Sequence, residues 1–194
     1  MKIQSIGNYL IIKTLFIVKD NMYAFKLVTE ASDLEYLKKM STQYQYENSP
    51  SSPYEIQKTF EDYVTNAQAF GVSGIQLSYP YRVFTIHVTE SNLQTMFNPE
   101  LIEVIDDTPI RMNEGCLSFP NLFLSIARPT RIKVQYQDVS KKLNTIELTD
   151  YYARGFLHEL DHLNGIVFTS HAGKLALKMA RKKLYKKMKK YKQS

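Results

Sequence analysis

From Ile56 to Phe70 apolar residues recur at helical spacing: Ile56, Phe60, Tyr63, Val64, Ala67 and Phe70, with Lys58, Glu61, Asp62 and Asn66 between them. A period near 3.6 gathers such residues into one stripe, so the segment predicts an amphipathic helix, with Gly71 and Gly74 punctuating its end. Residues 42–55 before it are rich in Ser, Tyr, Gln, Asn and Pro and read as a loop. Beyond the helix the pattern changes. Segments 81–88, 101–105 and 131–136 carry β-branched and aromatic residues and read as strands, with 145–148 a shorter candidate. Pro80, Pro99, Pro109, Pro120 and Pro129 separate them. A second helix is expected from Asp150, a suitable N-cap, to Asn164, with Gly165 as its stop. A third apolar stripe, Leu177, Ala180, Leu184 and Met188, runs through the lysine-rich end of the chain. Strands clustered in the middle without helical crossovers argue for an α+β fold with mostly antiparallel or mixed sheets, and against a parallel doubly wound sheet.

The N-terminal apolar run Tyr9 to Val18 is too short to span a bilayer and is interrupted by Lys13. Lys19-Asp20-Asn21 follows it, where a signal peptide would have a small-residue cleavage site. It reads as a strand or short helix packed on the domain. Met22 is an alternative translation start, which would make residues 1–21 a dispensable extension.

Length and composition refine this picture. A chain of 194 residues, 44% hydrophobic and 23% charged, suits one globular domain with room for a real core. A single cysteine, Cys116, excludes an intrachain disulfide framework and points to a reducing compartment. The net charge of +6 is unevenly placed: ten Lys/Arg lie between Lys174 and Lys192, and the last acid is Asp161. The preceding 173 residues hold 15 basic and 19 acidic side chains, so the basicity belongs to the tail. The chain therefore divides into a body, 1–172, and a basic helical tail, 173–194.

The candidate chemistry lies in His158-Glu159-Leu160-Asp161-His162. Two imidazoles four residues apart share one helix face and can bind one metal ion, with the adjacent Glu159 as general base. Asp161 points away from that face, which suits a helix-surface or supporting role. His87 and His171 have no such partner. A catalytic site of this kind takes three protein ligands and leaves a position open. Cys116, in Glu114-Gly115-Cys116-Leu117-Ser118-Phe119-Pro120, is the better third ligand, since a thiolate partly neutralises the ion and Gly115 permits close backbone approach.

These residues carry a family resemblance. The chain resembles the peptide deformylases over roughly residues 65–170, with three motifs in the expected order. Glu114 to Ser118 match the cysteine motif, and His158, Glu159, Asp161, His162, Leu163 and Gly165 match the histidine motif. Gly71 and Gln76 match the glycine-rich motif, whose first glycine is Ala69 here and whose paired alanines are Ser73 and Gly74. The resemblance implies an α+β fold around a central metal-binding helix. It implies one Fe2+ per chain, with Zn2+, Ni2+ or Co2+ able to substitute, held by Cys116, His158 and His162. It also implies removal of the N-formyl group from the initiator methionine of nascent polypeptides, releasing formate. Glu159 would be the base and acid, and the Gln76 side chain and Leu117 N–H the oxyanion donors. Phe70, Gly71, Met112, Glu114, Gly115, Tyr151 and Arg154 would surround the substrate methionine. Arg154 would line the pocket with its alkyl stem and keep its charge in water, or equally stand as a surface arginine. Glu114 and Arg128 resemble a pair that braces the cysteine segment, and Phe123 stands where many relatives have arginine.

The basic tail has three readings: a terminal helix packed by its apolar stripe, a helix that binds RNA phosphates through Lys174 to Lys192, or, more weakly for want of aromatic anchors, a membrane-surface helix. Some deformylases dock on the ribosome through a C-terminal helix, and the resemblance implies the ribosome as the RNA partner. A cytoplasmic monomer without a membrane partner is expected, in the host cytoplasm if the gene is phage-borne. The divergent N-terminal third and altered first motif leave room for a phage-type member. A metal-dependent amidase with another substrate would share the histidine pair but has no need of Cys116 and Gln76. A non-catalytic ribosome-binding relative would be expected to lose Glu159 or a ligand.

Overall fold

Five strands form one antiparallel sheet at the centre of the protein. The computed structural model describes residues 31–191, residues 25–28, and four short strands, β1 (Ser5–Ile6), β2 (Tyr9–Leu10), β3 (Phe16–Val18) and β4 (Asn21–Tyr23). The rest of the N-terminal apolar run lies outside the described residues. The central strands are β5 (Gly71–Ser73), β6 (Val83–His87), β7 (Leu93–Asp106), β10 (Arg131–Gln137) and β11 (Leu143–Thr149), in spatial order β11-β10-β7-β6-β5. Every neighbouring pair in that order runs antiparallel. All four expected strand segments lie within or overlap these strands. A separate antiparallel hairpin pairs β8 (Ile110–Cys116) with β9 (Phe119–Arg128).

That hairpin has no counterpart among the expected strand segments. Leu122, Leu124, Ile126 and Arg128 alternate as the buried face of β9, and Glu114 and Cys116 lie two apart on the buried side of β8. The face disguises itself because two of its positions are ionised. Glu114 and Arg128 pair with each other across the strands, so the hairpin lacks the unbroken apolar rhythm that marks a strand.

The helices follow their stripes. α1 (Ala31–Leu37) was not evident from the sequence and buries Leu37. α2 (Pro53–Ala67) begins three residues earlier than expected. Ser52 caps it, Ser52 and Glu55 form a reciprocal capping box, and Pro53 occupies its first turn. Ile56, Phe60, Tyr63 and Val64 are buried, and the helix ends not at Gly71 but at Gln68, which takes a left-handed conformation. α3 (Asp150–Leu163) packs against β5 and β6, with its N-cap on Thr149, one residue before the expected cap. Phe84, Ile86, Met96, Ile132, Val134, Ala153 and Phe156 form the core between this helix and the sheet. α4 (Lys174–Tyr191) lays Leu177, Ala180 and Leu184 against a third cluster that includes Cys116, Phe119, Leu122, Leu124 and Phe168. Among the described residues no helix is long and apolar enough to cross a membrane.

The expected stop at Gly165 has a physical cause. Its φ is +72°, and a Cβ there would lie 2.3 Å from the Lys38 carbonyl oxygen. Gly165→Ala is expected to cost about 1–3 kcal/mol through left-handed strain and that backbone clash. The check is a lower urea midpoint with an unchanged slope. Gly173→Ala, where an added Cβ meets nothing within 4 Å, should not show the drop.

Candidate metal centre and active site

Arg154, His158 and His162 recur every four residues along α3, so one face of that helix presents all three towards the β8–β9 hairpin. Cys116 ends β8 on the opposite wall. The potential ligand atoms of Cys116, His158 and His162 lie within 4.8 Å of one another, and all three residues are buried. Cys116 Sγ is 3.2 Å from His162 Nε2. A soft thiolate with two imidazoles is a donor set that suits a divalent transition ion. His158 Nδ1 is 2.8 Å from Glu114 Oε1, which leaves Nε2 facing the cluster.

Glu114 is the hub behind the ligands. Oε1 accepts from Arg128 Nη2 at 2.7 Å as well as from His158. Oε2 accepts from Arg128 Nε and Arg154 Nη1, both at 3.0 Å. Burial pushes this carboxyl group up, but hydrogen bonds from His158 and Arg128 outweigh it and hold Glu114 well below the usual carboxylate range. Arg128 also reaches Asp161 at 2.8 Å, and His171 Nε2 lies 2.7 Å from the same Asp161 oxygen. Asp161 thus supports the network from the helix, and His171 has a partner that the sequence did not suggest.

Two assignments to the substrate pocket change. Glu114 spends both oxygens on protein donors and is buried. Arg154 does not keep its charge in water: the residue is 7% exposed, and its guanidinium donates to Glu114, to the Ile126 carbonyl at 3.0 Å and to the Ile110 carbonyl at 2.7 Å. A long side chain finding three acceptors in the hairpin gains more by bracing it than by snorkelling. The other residues named for the pocket differ in exposure. Phe70 is 39% exposed, and its ring covers Gly155, where a Cβ would fall 2.0 Å from it. Tyr151 is exposed, Met112 is half-buried two residues before Glu114, and Gly115 lies under the exposed Phe123 ring. Gly71 is required by close approach: a Cβ there would be 2.6 Å from Ile86 Cγ2 and 3.3 Å from Glu159 Oε1.

Glu159 follows His158 on α3, and Gln76 approaches the ligand cluster from 40 residues before Cys116. Glu159 is 5% exposed, and its Oε2 makes no hydrogen bond. Burial raises its carboxyl group to about 7, against the opposing pull of the His158 charge and a hydrogen bond with Ser73. Burial and the His158 charge hold His162 well below the ordinary imidazole range, which favours the neutral form that binds metals. Burial disfavours His158 protonation too, yet hydrogen bonds to Cys116 and Glu114 raise it overall. Gln76 follows β5 in a 3₁₀ turn, Gly74–Leu77. Its Nε2 lies 3.5 Å from Cys116 Sγ and 3.1 Å from Ser118 Oγ. Its Oε1 accepts from Ser73 N–H and Ser73 Oγ–H, each at 2.9 Å. Leu117, 36% exposed, sits beside Cys116 at the hairpin turn. Sequence reasoning missed Ser73 and Ser118, although Ser73-Gly74-Ile75-Gln76 has the Ser-x-x-Gln spacing of a capping box.

Comparison with known proteins agrees with this arrangement. A family model described as polypeptide deformylase matches residues 26–178. The peptide deformylase of Bartonella quintana is 37% identical over 141 residues, covering 69% of this chain and 80% of its own length. That of a Wolbachia from Brugia malayi is 35% identical over 133 residues, covering 62% and 74%. The crystal structure of peptide deformylase from Thermotoga maritima superposes with a TM-score of 0.67 at 29% identity, over 79% of this chain and 99% of that one. The Synechococcus elongatus enzyme in complex with actinonin shares the fold at 21% identity, with a TM-score of 0.71 over 93% and 94% of the two chains. Because the family match spans residues 26–178, well over half of the chain and including Cys116, His158 and His162, the chain belongs to the polypeptide deformylase family.

Proposed function

We propose that this chain, a peptide deformylase of a metal-dependent family, hydrolyses the formyl amide of initiator N-formylmethionine on nascent polypeptides through the groups assembled at the α3–hairpin interface. The observation that supports this most strongly is the buried Cys116, His158 and His162 cluster with the Glu159 carboxyl group beside it. Those three side chains would hold one divalent ion, Fe2+ in the cell with Zn2+, Ni2+ or Co2+ as substitutes. When bound, such an ion lowers the pKa of a water and polarises the formyl oxygen.

The chain's own residues do the rest. Glu159 accepts the proton of the attacking water and returns it to the amine nitrogen as the C–N bond breaks, leaving formate and a free amino terminus. A buried carboxylate whose affinity for a proton lies near neutrality can both take and give one. The Gln76 amide, held by its Oε1, and the Leu117 N–H donate to the oxygen on which negative charge develops. Glu114 fixes the His158 ring. Phe70, Gly71, Met112, Gly115 and Tyr151 would contact the methionine side chain and peptide.

The solvent face of α4 would add ribosome binding. Lys178, Lys182, Lys186 and Lys189 are exposed, while Leu177, Ala180 and Leu184 turn inwards. This suits a helix that is anchored by its stripe and offers cations to RNA phosphates.

Formate release from formyl-Met-Ala-Ser tests the reaction. Anaerobically prepared, iron-loaded protein should release formate well above metal-free protein, and equal rates would refute the activity. Glu159→Ala should keep its metal yet lose about 10²–10⁴ in kcat. A variant near wild-type rate would show that another group carries the proton. For the tail, changing Lys178, Lys182, Lys186 and Lys189 together to Glu should weaken salt-sensitive ribosome binding and leave peptide hydrolysis unchanged. Unaltered ribosome affinity in sedimentation assays would leave α4 as a packing element. Charge reversal is the suitable variant because deleting the helix would uncover the apolar cluster beneath it.

A further inference from the structure

Ser73 stands directly beside the Gln76 carboxamide. It ends β5, is fully buried, and precedes the 3₁₀ turn that carries Gln76. Its N–H and Oγ–H both donate to Gln76 Oε1, at 2.9 Å each. A hydroxyl has one proton to give, and here Gln76 Oε1 takes it. The amide then has a defined sense. With Oε1 occupied by two Ser73 donors, Nε2 must face Ser118 Oγ and the Cys116 sulfur. Flipping it would set the amide NH2 against the Ser73 N–H and put Oε1 beside the sulfur. An alanine at 73 would leave one of these two anchors, the backbone N–H.

We propose that Ser73 is a positioning residue whose hydroxyl fixes the orientation of the Gln76 carboxamide, so that Nε2 faces the ligand cluster. It acts through Gln76. The proposal rests on Gln76 acting as described above. Wild-type formate release tests that reading, and the comparisons below isolate Ser73.

Ser73→Ala should lower kcat about tenfold, the usual scale for one buried hydrogen bond, with KM within about twofold and bound metal unchanged. Ser73→Cys, similar in size but a weak donor, should fall with Ala. Ser73→Thr, which keeps the hydroxyl, should recover to within about threefold of wild type. In a Gln76→Ala background the Ser73→Ala penalty should shrink below about threefold, because the residue's action runs through that amide. A wild-type kcat in Ser73→Ala, or a full penalty in both backgrounds, would overturn the proposal. A readout independent of turnover is solvent exchange of the Gln76 side-chain amide protons in zinc-loaded protein, assigned by their loss in Gln76→Ala. Exchange should quicken about tenfold in Ser73→Ala. An unchanged rate would overturn the proposal even if every variant were inactive.

Discussion

A single buried carboxylate, Glu114, holds the site together. It binds two guanidinium groups and one imidazole through four hydrogen bonds that span the hairpin and the ligand helix. Arg128 comes from β9, and Arg154 and His158 from α3, so the hairpin cannot slide along the helix without breaking charged contacts. Taking such groups out of water is expensive, and the arrangement is tolerable because the charges are matched. Glu114 and Asp161 oppose Arg128 and Arg154, and their carboxylate oxygens have close donors. Removing one member of a buried network of this kind typically costs about 3–5 kcal/mol, because its partners are left uncompensated.

The same contacts give the metal cluster its geometry. Cys116 lies two residues beyond Glu114 on one strand face, and His158 and His162 lie four and eight residues beyond Arg154 on one helix face. Docking Arg154 onto Glu114 therefore brings both imidazoles opposite the sulfur. The apolar clusters on either side hold this docking in place. Phe84, Ile86 and Phe156 hold α3 on the sheet, while Leu177 and Leu184 of α4 cover the hairpin from behind. The basic helix is thus part of the packing around the cysteine strand as well as a carrier of charge.

Periodicity made part of this legible. The stripes of α2 and α4 could be read from the sequence because one side of each helix is apolar, α3 was legible from its cap and glycine stop, and the His158–His162 spacing named the metal face. The hairpin was not legible, since its buried face includes Glu114 and Arg128, and a charged residue in a strand reads as an outward position until its partner is known. The burial of Arg154 was obscured for the same reason: its acceptors, Glu114, Ile126 and Ile110, are 28 to 44 residues away. Ser73 was assigned no role because Gly71 and Gly74 on either side of it read only as the end of the preceding helix, whereas Gly71 and Ser73 lie in a strand. Long-range polar pairing, invisible to local pattern, accounts for each of these differences.

The central claim is that Glu114 orients the ligand set through His158. It is tested most directly by the affinity of the folded protein for Co2+, followed through the sulfur-to-cobalt absorption band. Glu114→Gln keeps the side chain's shape and an acceptor for His158 but removes the charge. At a temperature where circular dichroism shows both proteins folded, the variant should bind Co2+ about 10–100-fold more weakly, as expected when a ligand loses its supporting partner. Equal affinity in the two proteins would contradict the account.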